Sequence, residues 1–297
     1  MNRSPQPRAH RVAAGRAVAV VLVLLVAALA PAVSRASALA YPTPKAFVSQ
    51  LDLECFKTEA YVPPVGPILT RHLNPVLTGL PAEEVTLGAR EQVCVPVAKN
   101  GKIPPPGVID FVQYVDLSCY RVQGITVNRQ LQLSHLNPVL SGLPSTSVVI
   151  TSPRQLCVPV VKNGKYPPPE VLRLVQYIDL KCYAIAQPTP INTPLRLTHL
   201  NPLLTGLPDV QTTATYGRQL CVPVQKNNEP IPDDVLQIVR WLDLVKYDLV
   251  APTQPTIPLT LEHINPTLAR LPREQATLTS PAQLAVPVAK NGAIPPG

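Results

Sequence analysis

Apolar and polar residues alternate along two short stretches that recur through the chain. In residues 114–120 (YVDLSCY), Val115, Leu117 and Cys119 share one face, and the tyrosines, aspartate and serine share the other. This period of two predicts a half-buried β-strand. Residues 130–136 (QLQLSHL) alternate in the same way and stop at an Asn-Pro pair, where a ladder of hydrogen bonds must end. The first strand has equivalents at 51–56, 177–183 and 241–247.

Two more strands and a turn follow within the same unit. Residues 148–151 (VVIT) are β-branched throughout and predict a third strand. Residues 155–160 (QLCVPV) predict a fourth, in which the internal proline marks an edge strand or a bulge. The Lys-Asn-Gly that follows predicts a turn with positive φ, and Asn228 replaces its glycine in another copy. Residues 108–112, ahead of the first strand, leave open one helical turn or a simple lead into the strand.

The motif QLCVPVVKNG at 155–164 occurs in four versions along the chain, separated by steps of 63, 64 and 64 residues. Self-similarity at a fixed period is typical of a tandem array. We therefore predict an all-β protein made of small β-sandwich or barrel-like modules in a rod-like or gently curved row with proline-rich joints. The predicted modules span residues 41–106, 107–169, 170–233 and 234–297.

Composition limits both the fold and the partners. The chain has 38 prolines, 13 glycines and only 4% aromatic residues. The prolines exclude long helices, because each one removes an amide donor. The formal net charge is +8, but five arginines lie in residues 1–40, which contain no acid. The remainder holds 21 basic and 18 acidic residues without a Lys/Arg-rich run. A nucleic-acid partner is therefore not expected.

The N-terminus predicts a secretory signal peptide over residues 1–40. A basic, polar stretch precedes an apolar run of 14 residues at 17–30, and small residues at 36–40 offer A-x-A cleavage sites. An uncleaved membrane anchor is the alternative, but the run is shorter than the ~20 residues that cross a bilayer. We expect a mature chain that begins near Tyr41, has no membrane span, and is secreted or displayed at the cell surface.

The six cysteines fall at two positions in each of the first three modules. Six cysteines allow 15 connectivities, but the fourth module has Lys246 and Ala285 at the two positions, so both cysteines are lost together. This predicts disulfides within modules, which suit an exported protein. Metal ligation or redox chemistry is the alternative, and no C-x-x-C or Cys/His cluster supports it. The predicted pairs are Cys55–Cys94, Cys119–Cys157 and Cys182–Cys221.

One histidine per module is the candidate repeat site: His72, His135, His199 and His263. Histidines at a fixed period would suit a metal ladder or a pH switch. The structural alternative is a histidine at a strand end that bonds the Asn-Pro turn, and we favour it because no second ligand recurs nearby. We predict no metal, no cofactor and no catalytic residue. Two further recurring sets are expected on solvated surfaces: Asp52, Asp116, Asp179 and Asp243, and Lys99, Lys162, Lys226 and Lys290.

The cysteine motif also carries a family resemblance. Cys119-Tyr120 with residues 156–164, and Cys182-Tyr183 with residues 220–227, match the order Cys-Tyr … Leu-Cys-x-Pro-Val-x-Lys-Asn-Gly. This pattern resembles tandem small disulfide-stapled β-repeat domains of uncharacterised function in secreted bacterial proteins. The resemblance covers all four modules in outline, but the His-Leu-Asn-Pro element is outside the pattern and the fourth module lacks both cysteines. It implies export and β architecture only.

These observations lead to three functional hypotheses. The favoured one is an exported, non-enzymatic structural or adhesive protein that binds an extracellular or cell-surface ligand through repeated weak contacts. The alternative is an array of carbohydrate-binding modules, which needs exposed aromatic residues on a shared face. A secreted enzyme or protease inhibitor is the third, although the chain has no G-x-S-x-G, H-E-x-x-H or phosphate-binding glycine loop. The aromatic candidates are Tyr114, Tyr120, Tyr177 and Tyr183.

Overall fold

The structure is a computed structural model, and it describes residues 39–204 and 206–297. The predicted signal peptide lies outside the described residues, apart from its last two. The described residues belong to one compact unit. They form fourteen strands and four short helices, one helix at the start of each repeat.

The repeats have closely related element orders. The first repeat contains α1 (Pro44–Val48), β1 (Leu53–Lys57), β2 (Ile68–His72), β3 (Glu83–Val85) and β4 (Arg90–Lys99). The second contains α2 (Ile109–Val112), β5 (Leu117–Arg121), β6 (Arg129–His135) and β7 (Thr146–Lys162). The third contains α3 (Pro169–Val175), β8 (Leu180–Ala186), β9 (Pro190–His199) and β10 (Val210–Lys226). The fourth contains α4 (Asp233–Val239), β11 (Leu244–Val250), β12 (Ile257–His263), β13 (Glu274–Leu278) and β14 (Pro281–Lys290).

Eight of these strands close into one antiparallel barrel in the order β1-β4-β5-β7-β8-β10-β11-β14, and β14 pairs back with β1. Each repeat supplies two neighbouring barrel strands. The prediction of all-β structure is confirmed, but the row of separate modules is not what the structure contains. The physical reason is the strand edge: two paired strands leave unpaired amide and carbonyl groups on both sides, and closure with the neighbouring repeats removes every such edge.

The remaining strands form an outer layer that interlocks the repeats. The β2–β3 hairpin packs Ile68 and Val85 against Leu156 and Val158 on the outside of β7, and β2 hydrogen-bonds to the end of β10 two repeats away. The other repeats follow the same scheme, with β6 on β14, β9 on β4 and β12 on β7. The barrel strands are therefore buried on both faces, not on one face as the alternation predicts. No repeat completes its own core.

The four helices close one end of the barrel, here called the helix end. Phe47, Phe111, Leu174 and Ile238 pack in one cluster with Leu53 at the start of β1. The alternative that the sequence leaves open ahead of each first strand is thus resolved in favour of a helix of four to seven residues. A proline at N1 or N2 of α1 and α3 suits this start because the first helical amides have no internal partner.

The turn after each long strand has the predicted backbone. Asn163 and Gly164 have φ values of 50° and 66°, and Asn227 and Asn228 have 47° and 55°. Asparagine tolerates this left-handed region better than other residues with a Cβ atom, which explains the exchange of glycine for Asn228. The side chain of Asn163 also accepts a hydrogen bond from the Thr260 amide at 2.8 Å, so the turn joins β7 to β12.

The recurring aspartates and lysines are buried ion pairs, which corrects the prediction that they face solvent. Each aspartate contacts the lysine of its own repeat, with both side chains at most 6% exposed. An asparagine donates to the same carboxylate. It comes from the Asn-Pro turn of the next repeat around the barrel, so the first repeat supplies the asparagine of the fourth. The surface prediction fails because alternation within one strand carries no information about an outer loop from another repeat. These buried triads are Asp52/Lys99/Asn137, Asp116/Lys162/Asn201, Asp179/Lys226/Asn265 and Asp243/Lys290/Asn74.

Candidate functional site

The end of the barrel opposite the helices is open and polar, and we call it the mouth. Strand β1 shows the polarity of the barrel, because Leu53 packs in the helix cluster and Lys57 lines the mouth. The cavity has a volume of about 720 Å³. Its rim carries charged side chains, and its floor is formed by glutamines. Among the described residues, no aromatic side chain lines it.

The glutamine floor follows from the repeat. Each glutamine stands two residues before the second cysteine position, so it shares the inward face of its strand with that residue. Gln92 Nε2 donates to Gln283 Oε1 at 3.1 Å, which links the floor of the first repeat to that of the fourth. The floor consists of Gln92, Gln155, Gln219 and Gln283.

Lys246 lies directly beneath this floor, where the other three repeats have a cysteine. Its Nζ donates to Gln92 Oε1 at 2.7 Å and to Gln155 Oε1 at 2.8 Å. It also lies 3.5 Å from Cys119 Sγ. Burial lowers the pKa of Lys246 to about 7, and the nearby charge of Glu91 opposes that shift. Lys246 thus holds the two amide oxygens inward and turns their nitrogens toward neighbours in the mouth.

Two ion pairs on the rim complete this network. Glu91 accepts from Arg121 Nε at 2.7 Å and from Gln155 Nε2 at 2.7 Å. Asp248 accepts from Arg218 Nε at 2.6 Å and from Gln283 Nε2 at 3.1 Å. Because each rim carboxylate is paired with a guanidinium, the mouth presents donors and acceptors without a strong charge of one sign.

Gln219 is the exception in the floor. Its Oε1 is buried and has no hydrogen-bond partner within the part of the chain that the structure describes. A buried acceptor without a partner costs about 1–3 kcal/mol. The amide oxygens of the other three floor glutamines each accept a hydrogen bond, so Gln219 is the one left unpaired among the described residues.

The recurring histidines lie outside the mouth, between the barrel and the outer layer. His72, His135 and His263 each share a hydrogen bond between Nε2 and a tyrosine hydroxyl of the repeat two along, at 2.9 to 3.1 Å. Phe56 takes the tyrosine position opposite His199, whose Nε2 lies 3.6 Å from Glu54 Oε2. The four histidines are not brought together. No group of three or more potential metal ligands occurs among the described residues.

Burial determines the ionisation of these groups. It lowers the pKa of His72, His135 and His199 to about 4. It raises the pKa of Glu54 to about 7, against a smaller opposing effect of the hydrogen bond from Gln254. Three of the histidines are therefore neutral at pH 7, in keeping with a role as hydrogen-bonded core residues.

The cysteines form the three disulfides that the repeat comparison predicts: Cys55–Cys94, Cys119–Cys157 and Cys182–Cys221. Each joins directly opposed residues on adjacent barrel strands. The disulfides lie inside the barrel, between the helix end and the glutamine floor. They hold together the strands that carry the floor.

The tyrosines proposed as an exposed aromatic face do not form one. Tyr120 and Tyr183 are fully buried and bond to histidines. Tyr114 and Tyr177 are half-buried and pack against the cluster at the helix end. These four side chains therefore do not share one exposed face.

Sequence reasoning did not identify the mouth, although two signals of it were visible. The glutamine recurs in all four repeats at the same distance from the cysteine position. Lys246 replaces a residue of the inward-facing pattern, so a charged side chain inside the molecule was already implied. Of the rim residues, Arg218 recurs as Arg154, and the other repeats have different residues at the positions of Glu91, Arg121 and Asp248.

Comparison with known protein families, curated proteins and solved structures finds no match to this chain. Within residues 39–204 and 206–297, no helix is both long enough and apolar enough to cross a membrane.

Proposed function

We propose that the protein is an exported, non-enzymatic binding protein that holds one small hydroxylated ligand, of the carbohydrate class, in the mouth of the barrel. The observation that carries this proposal is the polar cavity of about 720 Å³ with the unpartnered acceptor Gln219 in its floor. Ligand pockets of several hundred Å³ with a few well-placed polar groups are the usual form of a small-molecule site.

The proposal favours one site per chain over several weak sites. A multivalent adhesive array needs equivalent, exposed binding faces on separate modules. In the barrel, the four repeats meet around a single cavity, and the recurring histidines and aspartates are buried. Binding through the mouth therefore fits the geometry better than the structural or adhesive hypothesis.

The chemistry of the mouth suits hydroxyl groups. A hydroxyl both donates and accepts, so it can donate to Gln219 Oε1 and accept from a floor amide or an arginine. Glu91 and Asp248 offer further carboxylate oxygens at the rim. Because the guanidiniums already neutralise these carboxylates, a neutral ligand enters without a large electrostatic barrier.

Export and the absence of catalysis are parts of the same proposal. The predicted signal peptide and the three disulfides support an oxidising, extracellular location. The rim carboxylates Glu91 and Asp248 are held in ion pairs. Lys246 is covered by the glutamine floor, so its amine does not face the cavity.

The test is a titration of the purified, oxidised protein with a panel of mono- and disaccharides, followed by calorimetry or by chemical shifts. We expect at least one sugar to bind to the wild type. The variant Gln219→Ala should weaken that binding roughly tenfold, because one buried hydrogen bond contributes about 1 kcal/mol or more. The matched control is Gln132→Ala, which removes an exposed glutamine on the outer strand β6.

Two results would contradict the proposal. One is a wild-type protein that binds no member of the panel at millimolar concentration. The other is a Gln219→Ala variant that binds as tightly as Gln132→Ala. Detectable turnover of a bound sugar would instead overturn the non-enzymatic part.

A further inference from the structure

The buried triads at the helix end bring an amine and a carboxyl group into contact with water excluded. Lys99 Nζ lies against Asp52 Oδ1, and the corresponding atoms touch in the other three repeats. The lysine side chains are at most 1% exposed. In three of the four triads this contact lacks hydrogen-bond geometry. In these three the amine lies beside the carboxyl group without being aligned as its hydrogen-bond donor, whereas Lys226 donates to Asp179 in the fourth.

The asparagine of each triad bonds the other carboxyl oxygen. Its Nδ2 donates to Oδ2 of the aspartate at 2.5 to 2.8 Å in all four repeats. The asparagine is itself fixed, because its Oδ1 accepts from the backbone amide two residues ahead at 2.8 to 3.0 Å. A positioned donor on one oxygen polarises the carboxyl carbon and stabilises negative charge that develops there.

We propose that each triad condenses into an intramolecular isopeptide bond between the lysine and the aspartate, so that four amide cross-links close the helix end of the barrel. The neutral lysine amine attacks the carboxyl carbon of the protonated aspartate. The new C–N bond forms, the C–Oδ1 bond breaks, and that oxygen leaves as water with one proton from the amine and one from the acid. Asn137 and its equivalents hold Oδ2 through the tetrahedral intermediate. No oxidant or co-reactant is required.

The surroundings favour both reacting forms. Burial raises the pKa of the four aspartates and lowers the pKa of the four lysines, so both shifts favour the neutral acid and the neutral amine. The folded chain holds the two groups at contact distance, which replaces an encounter in solution. The site excludes water, and this opposes hydrolysis of the product.

The cross-links would also reinforce the fourth repeat, which lacks a disulfide. Asp179 and Lys226 lie 47 positions apart, and the disulfide Cys182–Cys221 within the same segment spans 39. In the first three repeats, each isopeptide bond would therefore join the same two barrel strands as a disulfide, nearer to the helices. In the fourth repeat, Asp243 and Lys290 would provide the only covalent bond between β11 and β14 among the described residues.

A second buried pair in the chain serves as an internal comparison. Lys181 contacts Glu83, but the other oxygen of Glu83 accepts from the backbone amide of Ile125 and not from an asparagine. Glu83 is also only partly buried. We expect no cross-link at this pair.

The experiment is mass spectrometry of the exported wild-type protein after reduction and alkylation. We expect an intact mass four water masses below that of the mature sequence with alkylated cysteines. Digestion should yield four branched peptides, one of which joins the peptide of Asp116 to that of Lys162. The variant Lys162→Arg keeps the positive charge without the reactive amine, and its deficit should fall to three waters. The matched control Lys165→Arg, at an exposed neighbouring position, should keep all four.

The wild-type digest decides the matter even if Lys162→Arg does not fold. An intact mass equal to that of the sequence would overturn the proposal. A water deficit found within linear peptides would also overturn it, because it would indicate a cyclised aspartate and no cross-link. Branched peptides at Lys181 and Glu83 alone would overturn the role given to the asparagine.

Discussion

The two ends of the barrel differ, although the same four repeats build both. At the helix end, every repeat supplies an aspartate and a lysine, and the next repeat supplies an asparagine. Toward the mouth, three repeats place a disulfide inside the barrel, and the fourth places Lys246 opposite Ala285. The triad residues are the same in all four repeats at the helix end. The cysteine positions directly beneath the cavity differ in the fourth repeat.

This difference separates structural requirement from function. A contact needed for closure is needed in every sector, so it recurs without exception. A small ligand bound in a single cavity does not have the fourfold symmetry of the repeats. One side chain that differs between repeats, Lys246, is therefore enough to orient the glutamine floor. We therefore assign stability chiefly to the helix end, and the proposed ligand to the mouth.

The largest effect is expected from breaking one buried triad. Asp116→Ala would leave Lys162 buried without its partner, and such a change typically costs about 3–5 kcal/mol. Urea unfolding monitored by circular dichroism measures the loss. The double variant Asp116→Leu/Lys162→Met removes both ionisable groups together. It should recover the cost of the unpaired lysine, but not the contribution of the proposed cross-link. The matched control is Asp233→Ala at an exposed position of α4. Equal unfolding midpoints for Asp116→Ala and this control would contradict the assignment of stability to the buried triads.

Removal of one disulfide should cost less. Cys182→Ala/Cys221→Ala gives the third repeat an uncross-linked pair between β8 and β10, and we expect a loss of about 2–4 kcal/mol in the free energy of unfolding. The oxidised wild type and the variant are compared by urea unfolding. An unchanged midpoint would mean that this disulfide does not stabilise the closed barrel.

The reverse exchange tests the fourth repeat. Lys246 and Ala285 are directly opposed, as Cys55 and Cys94 are, so Lys246→Cys/Ala285→Cys should form a fourth disulfide. We expect a gain of about 2 kcal/mol in stability and weaker ligand binding, because Gln92 and Gln155 lose their donor. A thiol assay, urea unfolding and the sugar titration measure the three effects. Binding equal to that of the wild type would show that Lys246 does not position the floor.

The last effect concerns acid stability and is expected to vanish at neutral pH. The pKa of His72 is about 4 in the folded chain and ordinarily about 6.5. The unfolded state therefore binds more protons between pH 6.5 and 4, so stability falls as the pH falls through this window, by up to about 1.4 kcal/mol per pH unit. The variant His72→Gln should show a shallower decline in urea midpoints across the same pH range.

Tyr183→Phe is the control for this experiment. It removes the hydroxyl that bonds His72 but keeps the histidine buried, so its pH slope should stay close to that of the wild type. If His72→Gln and the wild type decline in parallel, the acid sensitivity comes from other groups.

Local and periodic features were predictable from the sequence. The strand faces at Leu117 and Cys119, the turn at Asn227 and Asn228, and the three disulfides were all predicted, because each depends on neighbouring residues or on a fixed period. The burial of Asp116 and Lys162 was not. Asn201 and outer strands from other repeats complete their environment. The alternation of residues within one strand cannot predict these contacts.

The sequence by itself therefore determined the β class, the turns, the repeat and the pairing of the cysteines. Only the tertiary structure decided that the repeats close into one barrel, because closure depends on which strand edges meet. It also decided that the aspartates and lysines are buried and that Lys246 lies beneath a polar cavity. These properties arise between residues that are far apart in the chain, where burial and charge depend on what packs around them.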